Sequence, residues 1–241
     1  MTYCVGLLLD EGMVLLSDTR TNAGLDNIST YRKMFTFEAP GERVIAIMTA
    51  GSLSVTQTTI ARLTEAIDSG DEKRSIMTAH SMLAVAQIVG DTLGAVSQEI
   101  RGKIQQQEKV STSASLILAG QRADGPMRLF LIYSQGNFIE ATAETPYLQI
   151  GEHKYGKPIL DRVIEPSTSL ADAEKAVLLS MDSTLRSNLS VGMPLDLVVI
   201  ENHGLRVARS RRIEADDAGF QAMSQAWSEA LREAFQEIEP V

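Results

Sequence analysis

The sequence predicts an α+β fold in which antiparallel sheets and helices are segregated. Three observations carry this. The elements run as strands, two helices, strands, two helices, strands, helix, which is not the strict βαβ alternation of a parallel sheet. The strand runs are joined by short, turn-rich connections of hairpin length. The last segment, 216–238, carries apolar residues at helical spacing.

Residues 3–9 are apolar and strand-like, Asp10-Glu11-Gly12 supplies a turn, and 13–16 is a second apolar run, so the chain opens on a β-hairpin. Thr36-Phe37 and residues 44–47 form a second hairpin, broken at Ala39-Pro40-Gly41. Two helices follow. The first, over 52–67, sets Ile60, Leu63 and Ile67 on one face. The second runs from Ser75 toward Gln107, with Ile76, Ala79, Leu83, Ala86, Leu93, Val96 and Ile100 at three- and four-residue steps. Gly90 and Gly94 weaken its middle, and their small size would let another helix approach closely. Strands return at 114–119, at 129–133 and, through the turn Ser134-Gln135-Gly136-Asn137, at 138–141. Two more helices come next. Ser169-Leu170-Ala171-Asp172 is a capping-box start for the one that continues through Ala176, Leu179 and Leu185. A hairpin spans 195–200 and 205–213 around Asn202-His203-Gly204. In the closing helix Phe220, Met223, Trp227, Leu231, Phe235 and Ile238 share one face, and the acids at its start favour the helix dipole. That stripe covers either its own subunit or a neighbour. The chain reads as one domain over 1–241, without linker, repeat or low-complexity tract.

The 241 residues are 44% hydrophobic and 22% charged, an ordinary balance for a globular protein with ample core. A net charge of −9 argues against a nucleic-acid partner, whose phosphates require a basic surface. The cluster Arg209, Arg211, Arg212 reads as a solvated strand end. A single cysteine, Cys4, allows no intramolecular disulfide and fits a reducing compartment. The start MTYCVGLLLDEG lacks a basic leader. No apolar run nears the ~20 residues of a membrane-spanning helix, so a cytoplasmic protein is expected. His80, His153 and His203 have no metal-ligand partner at short spacing and read as surface or cap residues. No GxSxG elbow, P-loop or CxxC pair occurs, and no cofactor or metal is expected.

Thr2 remains as a candidate nucleophile. A threonine hydroxyl needs a base, and a free α-amine, with a reference pKa near ~8, serves on the same residue. This requires removal of Met1, which is common before a small second residue. Asp18 ends the second strand and Lys33 opens the next, so adjacent hairpins could bring both beside the N-terminus. There the ammonium would depress the hydroxyl's pKa and the carboxylate would orient the ammonium. The plainer alternative is a surface ion pair. In Thr49-Ala50-Gly51-Ser52, Gly51 lets a backbone N–H approach a substrate at a helix N-terminus, as an oxyanion site needs. Cys4 shares a strand face with Thr2 and is read as a small buried apolar residue rather than a redox group.

The rows TYCVGLLLDEGMVLLSDTRTNAG, YRKMF and TAGS resemble the N-terminal half of proteasome β-subunits and HslV-type peptidases, and IGEHKYGKPILD and RSNLSVGMPLDLVVIENHG resemble the second half. The resemblance covers roughly 2–213, and the helix of 216–238 lies beyond it. Within the family the chain most resembles the bacterial Anbu group. The resemblance implies a four-layer αββα sandwich of the N-terminal-nucleophile (Ntn) hydrolase kind, with an extra C-terminal helix. It also implies a ring-forming homo-oligomer acting on peptide or protein substrates; whether an unfolding ATPase docks is left open. It assigns the nucleophile to Thr2, assistance to Asp18 and Lys33, the oxyanion donor to Gly51 and a retained hydroxyl to Ser190. Three positions depart from the pattern: Ser187 stands where the family has aspartate, Ile150 where it often has serine, and Asn22 where a threonine usually lines the substrate strand. These leave open two other readings, a ring-forming scaffold with little catalysis and an amidase acting on a small amide.

Overall fold

Strong apolar runs at the start of the chain become central strands. β1 (Tyr3–Leu8) and β2 (Gly12–Asp18) are buried along nearly their whole length, with Cys4 opposite Ser17 in their antiparallel register. The computed structural model describes residues 2–22, 28–104 and 112–239. Met1 and the expected end of the second long helix at Gln107 lie outside the described residues. After a small hairpin, β3 (Arg20–Asn22) and β4 (Ile28–Thr30), come β5 (Met34–Ala39), β6 (Arg43–Gly51), α1 (Leu53–Asp68) and α2 (Met82–Ile104). Then follow β7 (Ala114–Arg122), β8 (Arg128–Ile132), β9 (Phe138–Glu140), β10 (Tyr147–Gly151), α3 (Lys157–Val163), α4 (Leu170–Ser187), β11 (Leu195–Glu201), β12 (Arg209–Ile213) and α5 (Ala218–Glu237).

One five-stranded sheet has the order β10-β1-β2-β11-β12 and the other β5-β6-β7-β8-β9, all pairings antiparallel. Three apolar clusters fill the spaces between four layers. Tyr3, Val5, Leu7, Leu16 and Leu197 pack against Leu160, Val177 and Met181 of the α3–α4 layer. Ile45, Ile47, Leu116 and Phe130 pack against Leu63, Val85, Val89 and Leu93 of the α1–α2 layer. Cys4, Leu15, Met48, Ile117 and Ile150 meet between the sheets. Each fully buried aliphatic contributes about 1.5–3 kcal/mol relative to exposure. Strand alternation thus sends successive side chains of β1 to different cores: Tyr3, Val5 and Leu7 to the helices, Cys4 to the other sheet. This is the αββα sandwich.

The structure corrects several sequence expectations. The second helix starts at Met82, not Ser75. Ser75 is buried in a run of turns, where its hydroxyl accepts from the Met77 N–H at 3.2 Å, the local bond by which serine competes with helix. The close neighbour of Gly90 is the β8–β9 turn rather than a helix: a Cβ at Gly90 would lie 2.2 Å from the Gly136 carbonyl oxygen. The strand expected from 205 begins at Arg209, because His203 and Leu205 take positive φ in an irregular turn. The Ser169 N-cap of α4 is present: its hydroxyl accepts from the Asp172 N–H at 3.2 Å and donates to Asp172 Oδ2 at 3.0 Å. Arg209, Arg211 and Arg212 are exposed and pair with Glu174, Asp217 and Asp196, as a solvated strand end does.

Candidate active site

β1 carries Thr2 to the edge of the inter-sheet core. Thr2 is only 7% exposed, and its carbonyl accepts from the Glu152 N–H at 2.7 Å. Gly151 follows from that contact: its φ is +81°, and a Cβ there would lie 1.8 Å from the Thr2 carbonyl oxygen. Strand alternation puts the Thr2 side chain on the face of Cys4. The Cys4 thiol lies 3.7 Å from the Thr49 carbonyl oxygen on β6, so that face looks toward the end of β6 that bears Gly51.

Asp18 and Lys33 meet. The Lys33 ammonium donates to Asp18 Oδ1 at 2.8 Å, with the two side chains 5% and 0% exposed, so the surface-pair alternative fails. The same Oδ1 accepts the Tyr3 N–H at 3.1 Å, and Oδ2 accepts the Gly192 N–H at 3.3 Å. The ammonium also donates to the Arg20 carbonyl at 2.6 Å. One carboxylate therefore ties the ammonium to the backbone of the residue that follows Thr2. Burial holds the Asp18 carboxyl above the ordinary carboxylate range, and the Lys33 ammonium and the two N–H donors pull it back. Burial, with the nearby Asp18 carboxylate adding, raises the Cys4 thiol so that it stays protonated; Cys4 behaves as a small apolar group.

Gly51 ends β6 with φ +105°, and a Cβ would lie 2.3 Å from the Ser113 carbonyl oxygen, so the position admits only glycine. The Thr49 N–H donates to the Lys33 carbonyl at 2.9 Å. By strand alternation the Gly51 N–H, two residues on, points to the same edge, past the start of β5. α1 begins directly after, with Ser52 at its N-cap. Ser190 lies in the connection from α4 to β11, two residues before Gly192, and its N–H donates to Asn188 Oδ1 at 3.0 Å. Arg20 holds this connection through a bond to the Leu189 carbonyl at 3.0 Å. Its guanidinium fills the space at Gly192, where a Cβ would lie 2.2 Å from Nε.

Of the departures, Ile150 is buried opposite Cys4 in the inter-sheet core. Ser187 is exposed at the end of α4 and, among the described residues, makes no hydrogen bond to the cluster. Sequence reasoning missed Tyr3, Arg20 and Gly192. Tyr3 reads as one more strand aromatic, while the Arg20 carbonyl and the Gly192 N–H meet the Asp18–Lys33 pair as backbone groups, which leave little trace in residue type. The three histidines are exposed. Among the described residues no group of acids, histidines or cysteines could hold a metal ion, and no helix is long and apolar enough to cross a membrane. A cavity of about 390 Å³ opens beside the cluster between Arg20, Leu189, Gly192, Phe220 and Ser224. A larger one, about 700 Å³, lies at the far end of β1 by Leu8, Asp10 and Met127 and touches none of these groups.

The buried lysine–aspartate pair thus lies beside Thr2, just ahead of β1, and the fold around it is a proteasome-type sandwich. The profile of the proteasome subunit family matches residues 2–200, and the chain belongs to that family. Within it the likeness is to Anbu. A structure of an Anbu (Gly-1) mutant from Hyphomicrobium sp. strain MC1 superposes with a TM-score of 0.93 at 47% identity, over 100% of this chain and 99% of that one. Anbu, described as an ancestral beta-subunit, from Yersinia bercovieri gives 0.93 at 41%, over 99% and 98%. A structure described as the helical assembly of the Anbu complex from Pseudomonas aeruginosa gives 0.89 at 40%, over 99% and 98%. Among curated proteins, none matches the chain.

Proposed function

We propose that the chain is an N-terminal threonine amidohydrolase, a self-assembling proteasome-like peptidase whose nucleophile is Thr2 once Met1 is removed. The observation that carries this is the shared Asp18 oxygen, which binds both the Lys33 ammonium and the Tyr3 N–H next to Thr2. A buried ammonium held at that point favours the ionised threonine oxygen. The freed Thr2 amine, directly or through water, takes the hydroxyl proton, and the oxygen attacks an amide carbonyl. The Gly51 N–H steadies the oxyanion that develops. Collapse expels the amine, which takes up the proton, and water then releases the acyl group from Thr2. In this reading Ser190 is the hydroxyl retained from the family pattern, and Asp18 positions Lys33. The whole of 1–241 is taken as one domain in the cytoplasm, with α5 as an addition to the core.

Assembly is part of the reading. The Pseudomonas aeruginosa relative is described as a helical assembly, and Leu231 and Phe235 on the distal part of α5, with Ile238 at its C-cap, are exposed. A homo-oligomeric ring or ring-like particle would cover them. A scaffold with little catalysis is the second reading. Ile150, buried where a serine would stand near the nucleophile, and Ser187, turned to solvent, favour it.

Intact mass before and after a peptide epoxyketone or β-lactone separates the two. Loss of Met1 and one adduct, absent in Thr2→Ala, is the expected result. Retained Met1, or a free Thr2 that never labels, transfers the function to the scaffold.

A further inference from the structure

The residue after Thr2 is a tyrosine set in a buried polar cluster that the reaction does not use. Tyr3 is 0% exposed. Its hydroxyl lies 2.6 Å from Ser180 Oγ on α4 and accepts from Gln149 Nε2 on β10 at 2.5 Å. Gly156, just before α3, closes the cluster: a Cβ there would lie 2.1 Å from Ser180 Oγ and 2.8 Å from the Tyr3 hydroxyl. Burial pushes the Tyr3 phenol up to about 12, against the pull of its two hydrogen bonds, so it stays neutral and serves as a fixed donor and acceptor. Aliphatic packing alone would have filled this space without orphaning polar atoms. A phenol needing two partners from two different elements has only one low-energy position.

That position bears on Thr2. The backbone of Tyr3 donates to Asp18 Oδ1, its strand partner is Gly151, and the preceding carbonyl is held by Glu152. Once Met1 is gone, Thr2 is tethered by a single peptide bond, to Tyr3. We infer that Tyr3 is a positioning residue: its hydroxyl, locked by Ser180 and Gln149, fixes the strand root so that Thr2 and the Asp18–Lys33 pair keep their alignment. The inference rests on the reading of Thr2 as nucleophile. It gives the helix layer a part in the chemistry although α4 sits on the opposite face of the sheet from Thr2.

The groups that face Asp18 are the Lys33 ammonium, the Tyr3 and Gly192 N–H groups and the Cys4 thiol. A strand root that drifts weakens the Tyr3 N–H bond, which otherwise favours the Asp18 carboxylate. The acid limb of the reaction then moves to higher pH.

The experiment follows β-lactone acylation of the full-length protein by intact mass, as rate against reagent concentration and against pH. Tyr3→Phe keeps the ring and loses the hydroxyl; Ser180→Ala breaks the same lock from α4 and changes nothing beside Thr2. Both are expected to lower the maximal acylation rate by about tenfold to a hundredfold, the scale of an ångström-level misplacement. Half-saturating concentration should change little, and the acid limb should shift upward. A melting shift with an unchanged maximal rate and pH profile in the folded variants would mean a purely structural cluster and overturn the inference. If the parent protein itself takes no adduct, the nucleophile reading fails first. If Tyr3→Phe does not fold, Ser180→Ala decides alone.

Discussion

Tyr3 and Cys4 on the first strand, with Thr2 just before it, are almost wholly enclosed, whereas Leu231 and Phe235 on the last helix and Ile238 at its C-cap are 50%, 79% and 73% exposed. Both segments are apolar, so hydrophobicity alone does not separate them. What differs is the number of layers available. β1 lies between β10 and β2 in its sheet, with α4 on one face and the second sheet on the other, so each side chain finds a core. Among the described residues, α5 is supported over its first half. There Phe220 and Met223 pack against the α4 layer, Ser224 donates to Asp182 at 2.7 Å, and Arg186 donates to Ser224 at 2.7 Å. Trp227 is still half-buried, and from Leu231 onward the apolar stripe is exposed among the described residues. The first turns of the stripe therefore cover their own subunit, and the end of it is exposed among the described residues.

The strongest test of this contrast is Lys33→Ala. It leaves the Asp18 carboxylate buried without its cation, which should cost about 3–5 kcal/mol in urea denaturation and abolish Thr2 labelling. Equal stability would mean that Asp18 is not enclosed as described. On the helix, Phe220→Ala removes a ring that is 9% exposed and should cost about 3 kcal/mol. A loss below about 0.5 kcal/mol would place it with ordinary surface changes and show that α5 does not dock through its first turns.

Acidity separates the regions next. Because burial raises the Asp18 carboxyl, the folded chain keeps that proton at a pH where the unfolded chain, near ~3.9, has lost it. The stability this group contributes is therefore present at low pH and is lost as pH rises through the raised folded value. Activity runs the other way, since the pair with Lys33 needs the carboxylate. Acylation should rise through the same window in which Asp18's share of stability falls. Comparing the stability profiles of the parent and Asp18→Asn checks the first, and an acylation profile checks the second. The smallest expected effect on stability is that of Phe235→Ser with Ile238→Ser, within about 0.5 kcal/mol of the parent. The same double change should reduce particle mass in light scattering; unchanged mass would remove the distal part of α5 from the assembly contacts.

Strong periodic signals were legible. β1, β2, β6, β7, α4 with its Ser169 cap and α5 all stand near where the apolar spacing places them, because burial on one face forces a period that the sequence must carry. Short or irregular elements were not. β3 and β4 have three residues each, too few for a period to show. β10 ends at a glycine chosen for the Thr2 carbonyl rather than for strand propensity. Within the site, Thr2, Asp18, Lys33 and Gly51 could be nominated from residue type and spacing, and the resemblance added Ser190.

By itself the sequence determined which segments become strands and helices, and which side chains could support hydroxyl chemistry. Local spacing and residue chemistry are sufficient for both. Only the tertiary structure decided that Asp18 and Lys33 are buried together, that Tyr3 is locked from the helix layer, and that α5 is covered for part of its length. Those outcomes depend on which surfaces meet across the sandwich, and desolvation acts on that meeting rather than on any one stretch of chain.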